Sequence, residues 1–439
     1  MKALIMAGGK GTRLLEITKD LLPKPMVRIN GIPLLEHAIN NLKKYNIDEV
    51  YISVGYKYQI IQDYFKDGKA FGIKINYIIE NEPLGSGGAL YYLKDIVKED
   101  FVVCMGDALF NINIDRMLQF HKDNNAIATL LTHPNSHPYD SDLIICDKNN
   151  RVTEINKKDS TRDFFYKNNV NAGFFIINPS ALYYFDTLKK ASMETDFIQT
   201  LINDNKKVFA YKSTEYIKDV GTPERFYTAT EDLINNLPEA KNLKNKQKAI
   251  FLDRDGTLNV YKGFINDEKD LELVPNCAQA IKLINKSEYL AIIVSNQPVI
   301  SRGECSFEKQ DTIFNKLETL LGKEGAYVDG IYYCPHHPHK GYTSEIKELK
   351  IDCNCRKPKI GMIEKSANDF NLDLSKCYII GDSNVDVQTG INAGIKTIRV
   401  PSDLKENIIT DADYNAQNLV DAINIILNKE KGEKYERNN

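Results

Sequence analysis

The chain has 439 residues, 42% of them hydrophobic, and Lys+Arg 57 against Asp+Glu 60 leaves a formal net charge of -3. That length exceeds one ordinary domain and predicts two or three packed units, while the near-balanced charge offers no basic field for nucleic acid. No apolar run approaches the roughly 20 residues that span a bilayer. Met1 leads directly into a strand pattern with no secretory leader ahead of it, so the expectation is a soluble cytoplasmic protein without membrane or nucleic-acid partners.

Residues 3–6 form a short apolar run that reads as a buried strand, followed by Ala7-Gly8-Gly9-Lys10-Gly11-Thr12-Arg13. Residues 34–45 carry a helical pattern, as do residues 86–94, and residues 50–54, 75–79 and 101–105 are short β-rich runs. This alternation implies parallel βαβ units and a sheet covered on both faces. Thr222 is placed to cap a helix with Pro223 in its first turn, running to about Asn236. Residues 237–247 are polar, rich in Lys and Asn and opened by a proline, which is linker chemistry. Alternation restarts at Ala249 and continues through residues 290–294, 330–333, 377–380 and 396–400. The fold class is therefore α/β, with two doubly wound, Rossmann-like domains. The expected boundaries are residues 1–236, a linker at 237–247, a second domain at 248–428, and a charged tail at 429–439 that frays.

Gly8, Gly9 and Gly11 let backbone N–H groups approach a phosphate closely. Arg13 and Lys24 supply charge that neutralises a triphosphate and its pyrophosphate leaving group. No Gly-Lys-Ser/Thr ending follows, so the loop is not a P-loop.

Gly8 to Leu14, followed by Pro23-Lys24-Pro25-Met26, resembles the signature of sugar-1-phosphate nucleotidyltransferases. The resemblance covers roughly residues 1–236, with several motifs in family order. It implies a nucleotide site at Gly8, Gly9, Gly11, Thr12 and Arg13, and a base loop at residues 84–89 through Gly85, Gly87 and Gly88. It also implies Mg²⁺ on Asp107 and Asp219, and sugar contacts from Glu154, Lys157, Asn171 and Gly173. The implied reaction is attack of a sugar 1-phosphate oxygen on the α-phosphorus of a nucleoside triphosphate, with Arg13 and Lys24 as catalytic cations.

The second half repeats the strand-then-loop device with Asp253-Arg254-Asp255-Gly256-Thr257 behind residues 249–252. Ser295-Asn296, Arg356-Lys357-Pro358 and Gly381-Asp382-Ser383-Asn384-Val385-Asp386 follow, at expected carboxyl ends of parallel strands. These pieces resemble the haloacid-dehalogenase phosphatase superfamily. The resemblance implies Asp253 as nucleophile forming an aspartyl-phosphate and Asp255 as acid and base. It further implies Mg²⁺ held by Asp253, the Asp255 carbonyl and Asp382, and phosphoryl contacts from Ser295 and Lys357. Asp386 is expected to orient the metal shell, and Asn296, Arg302 and Arg356 to contact substrate.

Of eight cysteines, Cys334, Cys353 and Cys355 cluster with His336 in two short chelating pairs. That set suits one closed, tetrahedral, structural Zn²⁺ just ahead of Arg356 and Lys357, with His337 and His339 as loop residues. Such a loop on this phosphatase resembles D,D-heptose 1,7-bisphosphate phosphatases and the related histidinol-phosphate phosphatases. Two departures fall on the substrate side: Pro298-Val299 where Ser-Gly is usual, and Ser383 at a position often held by lysine.

The pairing selects between these. Removing the 7-phosphate of a heptose bisphosphate leaves a heptose 1-phosphate, the substrate class of the first domain. The expectation is a bifunctional enzyme of nucleotide-activated heptose synthesis, with GTP as donor and the first domain resembling the heptose 1-phosphate guanylyltransferases. Three alternatives stand beside it: the same reactions on another sugar with UTP or CTP, a histidinol-phosphate phosphatase carrying a foreign domain, and a catalytically silent sugar-nucleotide sensor. Base, anomer and oligomeric state are left open by the sequence.

Overall fold

The computed structural model describes residues 1–185, 187–403 and 411–437. The chain divides into two compact units: Met1–His133 with Ser141–Lys158 and Asn169–Asn242, and Leu243–Asn439 with Pro134–Asp140 and Asp159–Asn168.

The first unit is built on a mixed sheet. Its strands run in the order Val152–Asn156, Leu143–Cys146, Val170–Ile177, Phe101–Met105, Lys2–Ala7, Glu49–Val54 and Lys74–Ile79. Ala128–His133 also pairs with Val170–Ile177 and carries Val208–Lys212 beside it. Lys2–Ala7 lies between two parallel neighbours, Glu49–Val54 and Phe101–Met105, which explains its continuous apolar character. Ile5, Val50, Val102 and Phe174 pack on one face, and Leu4, Val103, Leu130 and Phe175 on the other. The helix expected at residues 86–94 is a 3-10 helix, Gly88–Leu93, and its first residue is a glycine at a place where a side chain would strike the Lys189 carbonyl at 2.6 Å.

The second unit carries a six-stranded, all-parallel sheet in the order Gly330–Cys334, Tyr289–Asn296, Lys248–Leu252, Tyr378–Gly381, Lys396–Arg399 and Tyr414–Asn415. Helices such as Cys277–Asn285, Phe307–Lys323 and Gly361–Phe370 cover it.

Two stretches are more ordered than their composition suggests. Within residues 237–247, Leu237–Ala240 is a short helix, and Asn242 donates through Nδ2 to Asn111 Oδ1 at 2.8 Å and to the Tyr45 hydroxyl at 3.2 Å. The expected fraying from Lys429 is corrected: the final helix runs Leu419–Arg437, with Glu430 paired to Lys248 and Lys429 bonded to the Tyr414 hydroxyl. Residues 438 and 439 lie outside the described residues.

Candidate active sites

Asp107 follows the central strand Phe101–Met105, and Asp219 ends Tyr216–Asp219, which pairs antiparallel with Ala108–Asn111 so that Asp219 stands opposite Ala108. The pairing brings two carboxylates 112 positions apart in sequence to one point. Lys24 occupies it, its Nζ 2.6 Å from Asp107 Oδ2 and 3.1 Å from Asp219 Oδ1. Arg225 grips the far oxygen of Asp219 at 2.7 Å. Burial works against ionisation of Asp219, but Lys24 and Arg225 outweigh it and hold the carboxyl below its ordinary range. Two carboxylates converging on one cation form a donor set that suits a divalent metal.

Gly9, Gly11, Thr12, Arg13, Lys24 and Asp107 line a cleft of about 260 Å³ over this pair. Gly11 has φ +62, and a side chain there would meet Lys24 Cβ at 2.7 Å, so glycine lets the loop close over the lysine. Gly85, with φ +75, lies equally close against the Ala191 carbonyl, and Gly87 N donates to the Ala191 oxygen at 2.9 Å. The loop at residues 84–88 is thus seated on the segment leading into Met193–Ile198.

Of the expected sugar contacts, Asn171 and Gly173 come together on Val170–Ile177, with Gly173 N donating to Asn171 Oδ1 at 3.3 Å. Glu154 is exposed on the outermost strand, opposite Ile145, and Lys157 is exposed just beyond it. Three residues carry no motif that points to them: Arg225, Glu194 and Glu80. Glu194 is a buried carboxyl held by Asn171 Nδ2 at 2.9 Å and Ser192 Oγ at 3.0 Å, and burial raises its pKa. Glu80 accepts from Leu84 N at 2.9 Å and from Ser53, and its carboxylate stands 3.0 Å from where a Gly8 side chain would be.

In the second unit, Asp253, Ser295-Asn296 and Gly381-Asp382 sit at the carboxyl ends of three neighbouring parallel strands. Lys357 reaches into them, its Nζ 2.8 Å from Asp253 Oδ1 and 2.5 Å from Asp386 Oδ1. Oxygens of Asp253, Asp382 and Asp386 lie within 4.8 Å of one another. Burial pushes Asp253 up to about 7 against the pull of Lys357, and pushes Asp382 up to about 6. Three buried carboxylates facing one ammonium leave a negative surplus that a divalent cation would relieve. Asp386 is doubly occupied: besides Lys357 it accepts from Ser383 Oγ at 2.6 Å and Ser383 N at 3.2 Å. Ser383 therefore caps the helix Asn384–Ala393, a local reason for serine at that departure.

Asp255 turns away from this cluster toward Arg254, Asn259 and Gln297, and Gln297 also donates to Ser295 Oγ at 2.9 Å. Asn296 spends its amide on the Lys357 backbone, with both bonds at 3.0 Å, and so positions the lysine. Arg302 lies between Phe264 at 4.0 Å and Tyr342 at 4.7 Å, and Arg356 donates to the His336 carbonyl at 3.3 Å.

Cys334, Cys353 and Cys355 bring their sulfurs within 3.2–3.4 Å of one another, and His336 Nδ1 is 3.3 Å from Cys355 Sγ. Disulfide sulfurs stand about 2.05 Å apart, so these thiols are unbridged. Four soft donors around one point fit a tetrahedral ion. His337 and His339 stay outside it, His339 N donating to His337 Nδ1 at 3.2 Å.

Residues 2–236 match the nucleotidyl transferase family, and residues 354–423 match a HAD-hydrolase-like family. The chain is 36% identical over 237 residues to a D-glycero-alpha-D-manno-heptose 1-phosphate guanylyltransferase of Campylobacter jejuni, covering 54% of this chain and 100% of the relative. It is 34% identical over 181 residues to a D-glycero-beta-D-manno-heptose-1,7-bisphosphate 7-phosphatase of Haemophilus ducreyi, covering 40% of this chain and 97% of the relative. Among solved structures, HddC from Yersinia pseudotuberculosis is 27% identical, covering 53% of this chain and 99% of its own, with a TM-score of 0.46. The chain belongs to two enzyme families at once: the nucleotidyl transferases over residues 2–236 and the haloacid-dehalogenase-like phosphatases in its C-terminal half.

Proposed function

We propose that the chain is a cytoplasmic, bifunctional enzyme of nucleotide-activated heptose synthesis. Its second unit removes the 7-phosphate of D-glycero-D-manno-heptose 1,7-bisphosphate, and its first unit transfers GMP from GTP to the resulting 1-phosphate. The carrying observation is that one chain spans nearly the full length of two relatives, one named as a heptose-1,7-bisphosphate 7-phosphatase and the other as a heptose 1-phosphate guanylyltransferase.

In the phosphatase, Asp253 attacks phosphorus and the C7 oxygen leaves, taking a proton from Asp255; water then attacks the aspartyl-phosphate, giving its proton to Asp255. Ser295 and Lys357 hold the phosphoryl oxygens, and Arg302 and Arg356 offer charge for the second phosphate. Mg²⁺, held by Asp253, the Asp255 carbonyl and Asp382, supplies charge screening between carboxylate and phosphate when bound. Zn²⁺ on Cys334, His336, Cys353 and Cys355 is structural and fixes the loop that carries Arg356 and Lys357.

In the transferase, the backbone at Gly8, Gly9 and Gly11, with Thr12, cradles the triphosphate, and Arg13 and Lys24 take up charge on the departing pyrophosphate. Asp107 and Asp219 are the residues to hold Mg²⁺ there. Asn171 and Gly173 meet the sugar, joined by Glu194. Glu80, between the glycine loop and the base loop at Gly85, Gly87 and Gly88, favours guanine. A carboxylate accepts from the N1–H and 2-amino donors that guanine presents together.

Consecutive steps also require one anomer. The phosphatase relative carries beta in its name and the transferase relative alpha. The phosphatase unit here is therefore expected to accept the α-bisphosphate, and Pro298-Val299 and Ser383 are where it departs from the usual pattern. ³¹P NMR of the protein with Mg²⁺, GTP and each anomer tests the whole reading. Orthophosphate followed by pyrophosphate and a diphosphate pair from the α-anomer supports it. Orthophosphate from neither anomer refutes the sugar assignment, and orthophosphate without pyrophosphate refutes guanylyl transfer.

A further inference from the structure

Gln297 follows the strand Tyr289–Asn296 and is 2% exposed. Its backbone is held from two sides. Asn296 stands opposite Cys334 in the pairing with Gly330–Cys334, and Gln297 N donates to the Cys334 carbonyl at 2.8 Å. Pro298 comes next and confines the residue before it to extended backbone. The side chain therefore leaves from a fixed point.

An amide nitrogen carries two N–H bonds, and Gln297 spends both within the site. One goes to Asp255 Oδ2 and the other to Ser295 Oγ, each at 2.9 Å. A carboxylate only accepts, so the nitrogen of the amide and not its oxygen faces Asp255. The same orientation decides the polarity of Ser295, which is 1% exposed. A hydroxyl that accepts from Gln297 through a lone pair keeps its own hydrogen to donate elsewhere. Phosphoryl oxygens are acceptors, so a serine with its O–H free in this way is the form that can hold one. Asp255 is fixed on its other oxygen, Oδ1, by Arg254 Nη2 at 2.9 Å and Asn259 Nδ2 at 3.2 Å.

We propose that Gln297 is a positioning residue of the phosphatase: its one amide aims the Asp255 carboxylate and turns the Ser295 hydroxyl into a donor toward the phosphoryl group. The inference rests on the acid–base role of Asp255 and the phosphoryl contact of Ser295. Gln297 neither gives nor takes a proton in the reaction. It joins the group that moves protons and the group that holds phosphate into one hydrogen-bonded unit.

The test is orthophosphate release by the full-length protein with Mg²⁺, from the heptose bisphosphate and from p-nitrophenyl phosphate, which owes nothing to the sugar assignment. Gln297→Met keeps the buried volume close to its parent value and removes both N–H donors. It is expected to lower kcat about 10- to 100-fold and to leave KM within about threefold, since no group that meets substrate is deleted. Should its thermal melt show that it does not fold, Gln297→Asn replaces it, with an amide one methylene short of Asp255. Asp255→Asn and Ser295→Ala are made alone and each together with the Gln297 variant. A residue that acts through these groups gives combined losses about tenfold smaller than the product of the single ones, whereas a residue that only fills space gives losses that multiply. Multiplying losses in both pairs, an unchanged kcat, or a loss that falls on KM alone overturns the inference. Multiplying losses in one pair overturns the link to that partner. A parent-like rate in Asp255→Asn refutes the acid–base reading, and the inference falls with it. A damaged Asp255→Asn beside an intact Gln297 variant refutes the inference alone.

Discussion

Arg254 folds back on its own neighbour, Asp255: its Nη2 lies 2.9 Å from both carboxylate oxygens and its Nε lies 3.1 Å from Oδ1. The guanidinium is fully buried and packs over Phe314 at 5.2 Å. A residue next to the carboxylate proposed as acid and base, with no freedom of its own, sets where that carboxylate can point. Arg254→Gln is predicted to lower phosphatase kcat about 10- to 100-fold with little change in KM, as losses of such supporting partners do. An unchanged thermal melting profile of the variant checks that the second unit is folded. An unchanged kcat, or a loss that falls on KM alone, would remove the positioning role.

Metal removal separates the two halves of the chain. The four-donor cluster at Cys334, His336, Cys353 and Cys355 lies immediately ahead of Lys357, whose ammonium reaches Asp253. Chelation of a structural zinc is expected to loosen this loop and abolish most phosphatase activity while leaving guanylyl transfer intact when Mg²⁺ is restored. Metal analysis should return one zinc per chain before treatment. Full phosphatase activity in zinc-free protein would contradict the structural role.

Much of this arrangement was legible because the chemistry follows apolar strands at fixed short distances. Asp107, Asp253 and Asp382 each come directly after such a run or one residue beyond it, and parallel strands gather those positions at one edge. What escaped the reading arrives from elsewhere in the chain. Arg225 sits one turn into a helix and meets Asp219 only after the strand–helix turn brings it back. Glu194 lies in a short π-helix, Met193–Ile198, with no periodic signal, and meets Asn171 across 23 residues. Asn242 looked like linker because its composition is polar, yet Asn111 and Tyr45 satisfy it in a buried place. Polar composition alone does not distinguish a solvated segment from one whose partners are distant.

Glu49 gives the first unit a defined acid response. It receives Lys2 and Lys74, both at 2.9 Å, along with the Tyr51 hydroxyl and Asn76 Nδ2, both at 3.0 Å. Led by the Lys2 bond, these contacts pull its pKa from 4.5 to about 2. The folded value lies below the unfolded one, so the stabilisation is complete above about pH 4.5 and drains away as pH falls toward 2. Both lysines are partly exposed, which limits the gain. Glu49→Gln is predicted to cost about 1 kcal/mol at neutral pH. Amide exchange on Lys2–Ala7 and Glu49–Val54 should show the gap between variant and parent closing as the solution is acidified. A gap independent of pH would mean that packing, not charge, accounts for the loss.

Glu194 offers the sharpest test of where the sugar lies. Its carboxyl is buried between Asn171 and Ser192, and Ser86 Oγ, from the base loop, approaches Oε2 at 3.5 Å while accepting from Met193 N at 2.9 Å. One side chain therefore joins the strand bearing Asn171 and Gly173 to the loop at residues 84–88. A carboxylate in that position accepts sugar hydroxyls, whereas an amide of the same size offers one acceptor fewer and presents a donor instead. Glu194→Gln is predicted to raise KM for the sugar 1-phosphate about tenfold, the worth of one charge-assisted hydrogen bond, and to leave KM for GTP near its parent value. Glu194→Ala, which also strips Asn171 of its partner, should be worse in both KM and stability. If Glu194→Gln instead raised KM for GTP and spared the sugar, the carboxylate would be serving the base loop, and the sugar would have to be placed elsewhere along Val170–Ile177.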